Sequence, residues 1–168
     1  MPPALRHCPP MSKSLKRVRA TLESAGITPD IRQTEMARTA ADAAAAMGCA
    51  IDQIAKSIVL RGETSGQALL FITAGGQQVD LVAAAALAGE PLGKADAALI
   101  RAQTGFAIGG VAPVGHVNPT RGWFDRTLLS FDIVWAAAGT PHHVFGMDPK
   151  ILAPLTGAQI SDFIQKSK

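Results

Sequence analysis

The sequence has no tyrosine, two cysteines and an aromatic content of 5% in 168 residues. Each shortage closes off a class of function. With two tryptophans and six phenylalanines as the whole aromatic supply, a sheet built to stack RNA bases, as in the RRM, has little to work with. Cys8 and Cys49 are too few and too far apart for a disulfide scaffold or a cysteine-based metal cage, which predicts a reduced, cytoplasmic protein. No apolar run approaches the roughly 20 residues that span a bilayer, so no membrane association is expected. The opening MPPALRHCPP also lacks the continuous apolar stretch of a secretory signal. Motifs are missing too. There is no Walker loop, no Gly-x-Gly-x-x-Gly opening a helix, no His-Glu-x-x-His and no Gly-x-Ser-x-Gly elbow. His142 and His143 are adjacent, and strand neighbours point to opposite faces, so the two cannot chelate as a pair. No cofactor and no metal are expected.

What is present suits one packed domain. Apolar residues make up 48% of the chain and charged ones 17%, enough to bury a substantial core. The charge is uneven. The first twenty residues carry Arg6, Lys13, Lys16, Arg17 and Arg19 with no acid, while the whole chain is only +3. The remainder is therefore slightly acidic. A basic N-terminal helix on such a body can steer a polyanion, with a merely solvated face as the alternative.

Residues 1–11, with four prolines and a second methionine at Met11, read as a disordered leader, and 12–168 as the domain. From Ser12 a helix places Leu15, Val18 and Leu22 on one face and Lys13, Lys16 and Arg17 opposite, ending at Gly26. Asp30 to Thr34 is extended. Thr39 to Asp42 has capping-box spacing and opens an alanine-rich helix that stops at Gly48. Ile51 to Ile54 makes one helical turn before a strand, and Ala68 to Ala74 is a second strand paired with it as a hairpin. Helices follow from Asp80 to Gly89 and from Ala95 to Gly105. Phe106 to Val111 reads as a strand and the stretch through Pro113, Pro119 and Gly122 as a long loop. Ile133 to Ala138 and His143 to Met147 are the last strands, and Gly157 divides two closing helices. Strands and helices interleave with hairpin-like connections. The expected fold is α/β, a single domain with a mixed, curled, barrel-like sheet surrounded by helices.

Lys56 stands out within Ile54-Ala55-Lys56-Ser57-Ile58-Val59-Leu60. An ammonium in an apolar β-branched strand costs several kcal/mol to bury unpaired, so it is expected to meet an anion or a carbonyl. The bland alternative is an edge-strand lysine that snorkels to water. About fifty residues on, Thr104 to Gly115 runs into the Gly109-Gly110 pair with Pro113 behind it. Glycines let main-chain N–H groups approach a ligand, although they also end strands. A fixed cation and such a loop can hold a polar substrate without a nucleophilic side chain. His142 is a further candidate for this cleft. His143 is expected to face away, and Cys49 to be buried packing. Asp125 reads as a cap, and His116, Arg121 and Trp123 as exposed loop residues.

Four stretches carry a resemblance to the YbaK/ProX family of aminoacyl-tRNA deacylases, which share their fold with the editing domain of bacterial prolyl-tRNA synthetases. They are KSIVLRG at 56–62, QTGFAIGGVAPVG at 103–115, WFDRTLL at 123–129 and IVWAAAGTPHHVF at 133–145. The resemblance extends from Ser12 to the C-terminus. It implies that the family's lysine is Lys56 and that its substrate-holding GxxxP loop is Gly109 through Pro113. YbaK has an Asp on its closing strand; this chain resembles relatives with a histidine there, at His142. Near Thr34 and Met36, where YbaK has an aromatic, the chain also departs, which sets it apart from a cysteinyl-tRNA preference.

The implied reaction is hydrolysis of a mischarged aminoacyl ester. An activated ester needs positioning and oxyanion stabilisation more than a strong nucleophile. Main-chain N–H groups of Gly109, Gly110 and Val111 would serve the oxyanion, with Pro113, His142, Thr34 and Met36 lining the substrate pocket. Lys56 would anchor the terminal adenosine or its phosphate. The resemblance implies that a substrate group such as the ribose hydroxyl activates the water. Lys13, Lys16 and Arg17 would touch tRNA phosphates. The expected substrate is a small amino acid such as alanine, serine, threonine or 2-aminobutyrate, on tRNA-Pro or a related tRNA. Two other classes remain open: a non-catalytic tRNA-binding module, and a partner that docks on an aminoacyl-tRNA synthetase.

Overall fold

A computed structural model describes residues 12–166 apart from Met36 and Arg38. The leader expected at 1–11 and the pocket role expected of Met36 lie outside the described residues. Side-chain caps set the helix starts. Ser12 Oγ accepts from the Leu15 N–H at 3.1 Å and opens α1 (Lys13–Ser24), whose Leu15, Val18 and Leu22 are buried. Thr39 Oγ1 accepts from the Asp42 N–H and opens α2 (Ala40–Met47). Asp80 and Asp96 cap α3 (Leu81–Ala88) and α4 (Ala97–Thr104), and Asp148 with Pro149 behind it starts α5 (Pro149–Thr156).

The strands are β1 (Asp30–Gln33), β2 (Ile54–Gly62), β3 (Ala68–Ala74), β4 (Leu92–Lys94), β5 (Gly122–Asp125), β6 (Val134–Thr140), β7 (His143–Met147) and β8 (Gln159–Ser161). They form one sheet in the order β1-β7-β6-β2-β3-β5-β8, with β4 added to β2. Pairing is mixed, as expected. The hairpins β2–β3 and β6–β7 are antiparallel, whereas β2–β6, β3–β5 and β5–β8 are parallel.

Alternation along β2 and β3 sends side chains into two cores. Ala55, Leu70, Ile72 and Ala74 join Phe124, Phe145 and the buried face of α1. Leu69 and Phe71 join Trp123, Phe163 and the alanines of α3. Phe71 stacks on Trp123 with ring centroids 4.9 Å apart. A third cluster packs Ala43 and Ala44 of α2 on Ile54 and Trp135, so the small helix residues do allow close approach to the sheet.

Four sequence expectations change. Phe106 to Val111 is not a strand: Phe106 and Val111 are buried, but a turn closed by Gly110 N–H to Ala107 O at 3.0 Å lies between them. Gly109 there has φ +89, outside the extended region. The stretch read as loop contains β5, and Trp123, read as exposed, is buried on it. The final helix is replaced by β8, three residues long and too short for periodicity to reveal. His116, also read as exposed, contacts the Ala112 carbonyl through Nε2 (2.6 Å) and Thr120 Oγ1 through Nδ1 (2.9 Å). Burial lowers the His116 pKa, which keeps the ring neutral, and a carbonyl only accepts, so Nε2 carries the proton.

Candidate functional site

The site begins where a ladder stops. Parallel β2 and β6 pair only at Ile54↔Trp135 and Ala55↔Ala136, and β4 takes up the same edge of β2 at Leu60. Between these, β2 and β6 diverge around a cavity of about 530 Å³, a size that suits a small ligand. Lys56, Ser57 and Ile58 line it from β2, Gly109 and Val111 from the glycine loop, and Thr140 and His143 from the β6–β7 hairpin.

Lys56 is half-buried, and carbonyls hold its ammonium. Nζ donates to Gly75 O at 3.2 Å and to Gln77 O at 2.5 Å. Two of its three N–H donors are thus fixed, and the third has no partner among the described residues. Burial lowers the Lys56 pKa from its ordinary 10.5, while the Asp52 and Asp125 carboxylates act to raise it. The accepting turn is itself clamped. Asp52 Oδ1 accepts from the Gly76 N–H at 2.8 Å, Asp52 Oδ2 from Gln77 Nε2 at 3.2 Å, and buried Asp125 from the Ala74 N–H at 3.0 Å. Asp125 also accepts from the Thr127 N–H, the capping role its sequence position suggests. The Gly75-Gly76 pair permits this packing, because a Cβ on Gly75 would lie 2.3 Å from Ile51 O and one on Gly76 2.6 Å from Asp52 Oδ1.

The glycine loop divides its tasks. Gly109 and Val111 line the cavity. Gly110 packs on β6, where a Cβ would lie 2.9 Å from Thr140 Cα. Its N–H already donates to Ala107 O, so of the three expected oxyanion donors only those of Gly109 and Val111 remain uncommitted to that turn. Pro113 is buried away from the cavity lining.

The histidines exchange places. The β6–β7 turn is Pro141-His142, and Thr140 pairs with His143. His142 sits at the exposed apex, whereas His143 lines the cavity with Nδ1 2.7 Å from Thr140 Oγ1. A register shift between Ala137 and Thr140 changes the face each residue presents, which alternation from the strand centre does not anticipate. Burial and then the neighbouring His142 lower the His143 pKa, favouring a neutral ring. Thr34 does not line the cavity; its N–H donates to His142 O at 2.7 Å and holds the turn.

Arg17 is no phosphate contact on an open face. Its Nε donates to Gly115 O at 2.6 Å and its guanidinium lies over Phe106, 4.6 Å from the ring centroid. Lys13 and Lys16 are exposed. Cys49 is half-buried beside the Ile54–Trp135 cluster, and burial raises its thiol pKa.

Ser57 escaped the sequence reading. Its Oγ is sealed from solvent with no hydrogen-bond partner among the described residues, and it lines the cavity beside Lys56. Main-chain direction adds to this. The Gly62 N–H reaches Gln67 on the β3 side and the Glu63 N–H reaches Pro91 on the β4 side. Alternation therefore turns the Ser57 N–H and C=O toward the gap, past the last β2–β6 pair.

Among the described residues no three His, Cys, Asp or Glu side chains gather to hold a metal, and no helix is long and apolar enough to cross a membrane. The site is thus a cation, two residues of the glycine loop and a histidine whose burial favours the neutral ring, around a small cavity.

The family model for the aminoacyl-tRNA editing domain matches residues 34–154, which include every element of this cavity. A solved structure described as "a putative trans-editing enzyme for prolyl tRNA synthetase" is 43% identical, covers 93% of this chain and 99% of its own, and superposes with a TM-score of 0.85. The structure of hypothetical protein APE2540 is 27% identical over 89% of this chain and 99% of its own, with a TM-score of 0.81. The uncharacterized protein YwhH of Bacillus subtilis (strain 168) is 28% identical over 148 residues, 88% of this chain and 94% of its own. The mixed curled sheet agrees with these matches, and the chain belongs to the YbaK-type aminoacyl-tRNA editing domain family, whose members are aminoacyl-tRNA deacylases.

Proposed function

We propose that the chain acts in trans on mischarged tRNA-Pro or a related tRNA, in the cytoplasm, and removes a small amino acid such as alanine, serine, threonine or 2-aminobutyrate. The carrying observation is the Lys56 ammonium, held by two carbonyls in the wall of a cavity that Gly109 and Val111 also line. The description of the 43% identical neighbour supports the prolyl-tRNA synthetase connection. The cavity volume and the Ile58, Trp135 and Val144 side chains in its wall support a small, uncharged aminoacyl group.

In this reading Lys56 holds the terminal adenosine or its phosphate as a point charge. The Gly109 and Val111 N–H groups receive the negative charge that develops on the ester carbonyl oxygen as water attacks its carbon. The carbon–oxygen bond to the ribose then breaks and a proton passes to the departing hydroxyl. A ribose hydroxyl of the substrate activates the water, so the protein needs no base of its own. His143 takes the place expected for His142 and presents a neutral imidazole to the substrate. Lys13 and Lys16 meet the tRNA backbone, and Arg17 instead holds the glycine loop.

The test is ester loss from a panel of mischarged tRNAs with purified protein. Alanyl- and seryl-tRNA-Pro should be hydrolysed and correctly charged prolyl-tRNA spared. Lys56→Ala should remove most activity, by about 10²-fold or more, while circular dichroism shows the fold retained. Wild-type turnover in that variant would overturn the assignment.

A further inference from the structure

Lys56 is placed by a turn, and that turn is placed by a carboxylate. Asp52 lies in the 3-10 turn Ile51–Gln53 that leads into β2, four residues ahead of the lysine. Both its oxygens are engaged: Oδ1 with the Gly76 N–H and Oδ2 with Gln77 Nε2. The carbonyls that hold the ammonium belong to Gly75 and Gln77, so one carboxylate grips the residues on which Lys56 rests. Gly76 brings the turn against Asp52 so closely that a Cβ would collide with Oδ1. On the far side Asp125 fixes the Ala74 N–H, at the base of the same turn.

We propose that Asp52 is a positioning residue for deacylation, which acts through the Gly75–Gln77 turn to set the direction of the Lys56 ammonium in the cavity. The inference rests on Lys56 being the substrate anchor. Two consequences follow from physics. If the turn relaxes, the third Nζ–H swings away from the ligand, and misplacement of about 1 Å can cost roughly 10²-fold in rate. The Asp52 charge also favours the protonated amine against the burial that disfavours it. The groups facing the ammonium are Asp52 ahead of β2, Asp125 at the end of β5 and, across the cavity, His143 on β7. Removing the Asp52 charge should therefore let Lys56 lose its proton at lower pH.

The experiment uses the full chain with ¹³C-labelled lysine. The Lys56 Cε signal is assigned by its disappearance in Lys56→Arg and titrated upward from neutral pH, without tRNA. Asp52→Asn, which keeps an acceptor for the Gly76 N–H, should move the Lys56 midpoint to lower pH. The charge control Asp162→Asn, at an exposed pair with Arg126, should leave it in place. On mischarged tRNA, Asp52→Ala should lower kcat/KM by about tenfold to a hundredfold. The alkaline limb of the Asp52→Asn profile should shift in the same direction as the Lys56 midpoint. An unmoved midpoint in Asp52→Asn overturns the proposal, including when the variant only lowers Tm, because Asp52 would then merely brace the turn. The titration is read without substrate, so it fails separately from the deacylase reading.

Discussion

An ammonium brought into an apolar wall carries three N–H donors, and each one left unmet costs free energy. Lys56 meets Gly75 and Gln77 with two, so its burial is offset in large part before any substrate arrives. An arginine there would not substitute, since its longer, planar fork holds its donors in one fixed plane where the lysine turns three donors about a single point charge. The neighbouring histidines show how much one position matters. His143 lines the cavity and accepts or donates at Thr140 Oγ1, while His142 is exposed at the hairpin apex. His143→Ala should lower kcat/KM on mischarged tRNA by about tenfold, the scale of one lost hydrogen bond to a bound polar group. His142→Ala should change it by less than about twofold, as surface substitutions do. The reverse ranking in the same assay would overturn the assignment of His143 to the substrate.

At the scale of elements, the segment between α4 and β5 gives the cavity wall Gly109 and Val111 and has no regular structure. Arg17 holds its Gly115 carbonyl, His116 holds its Ala112 carbonyl, and Gly110 presses on the β6 backbone. The two glycines should respond differently. A methyl on Gly109 meets nothing within 4 Å, but φ +89 strains any L side chain, so Gly109→Ala should reshape the cavity-facing turn. Catalysis should fall by more than tenfold at a stability cost of about 1–2 kcal/mol. A methyl on Gly110 would meet Thr140 at 2.9 Å, so Gly110→Ala should cost about 1–3 kcal/mol by overpacking. Thermal melts alongside single-turnover deacylation separate the two, and a Gly109→Ala variant that loses stability but keeps wild-type turnover would contradict this division.

The same segment marks where sequence reasoning stops. The capped helices α1 and α2 and the β2–β3 hairpin were legible because caps, alternation and turns act within a few residues of one another. Lys56 and the cavity-facing Gly109 were legible for the same reason, each conflicting with its local surroundings. Strand β5 was not, since it is defined by parallel pairing with β3 some fifty residues earlier, and Gly122 disguises its start. Nor was the Asp52 clamp, which joins two separate turns, or the orphan Ser57 hydroxyl, which depends on where the β2–β6 ladder ends.

For the whole molecule, the placement of charge relative to the cavity decides how a tRNA could approach. The start of α1 lies against the end of β6: a Cβ on Gly139 would sit 2.8 Å from Ser14 O, and the next residue, Thr140, lines the cavity. Lys13 and Lys16 are exposed on this helix, which the buried Leu15, Val18 and Leu22 anchor independently. Such lysines add affinity by releasing counterions from phosphates and add little base specificity. Replacing both with Gln should raise KM for whole tRNA and reduce the slope of log affinity against log salt by about one per lysine. Turnover at saturation should barely change, because the acceptor end still meets Lys56 and the Gly109–Val111 loop. A small aminoacyl-adenosine substrate, too short to reach α1, should be hydrolysed as by the wild type. An unchanged salt slope for whole tRNA would show that α1 offers only a solvated face. The polyanion would then have to approach from another side of the cavity, past the exposed Ile108 at the tip of the glycine loop.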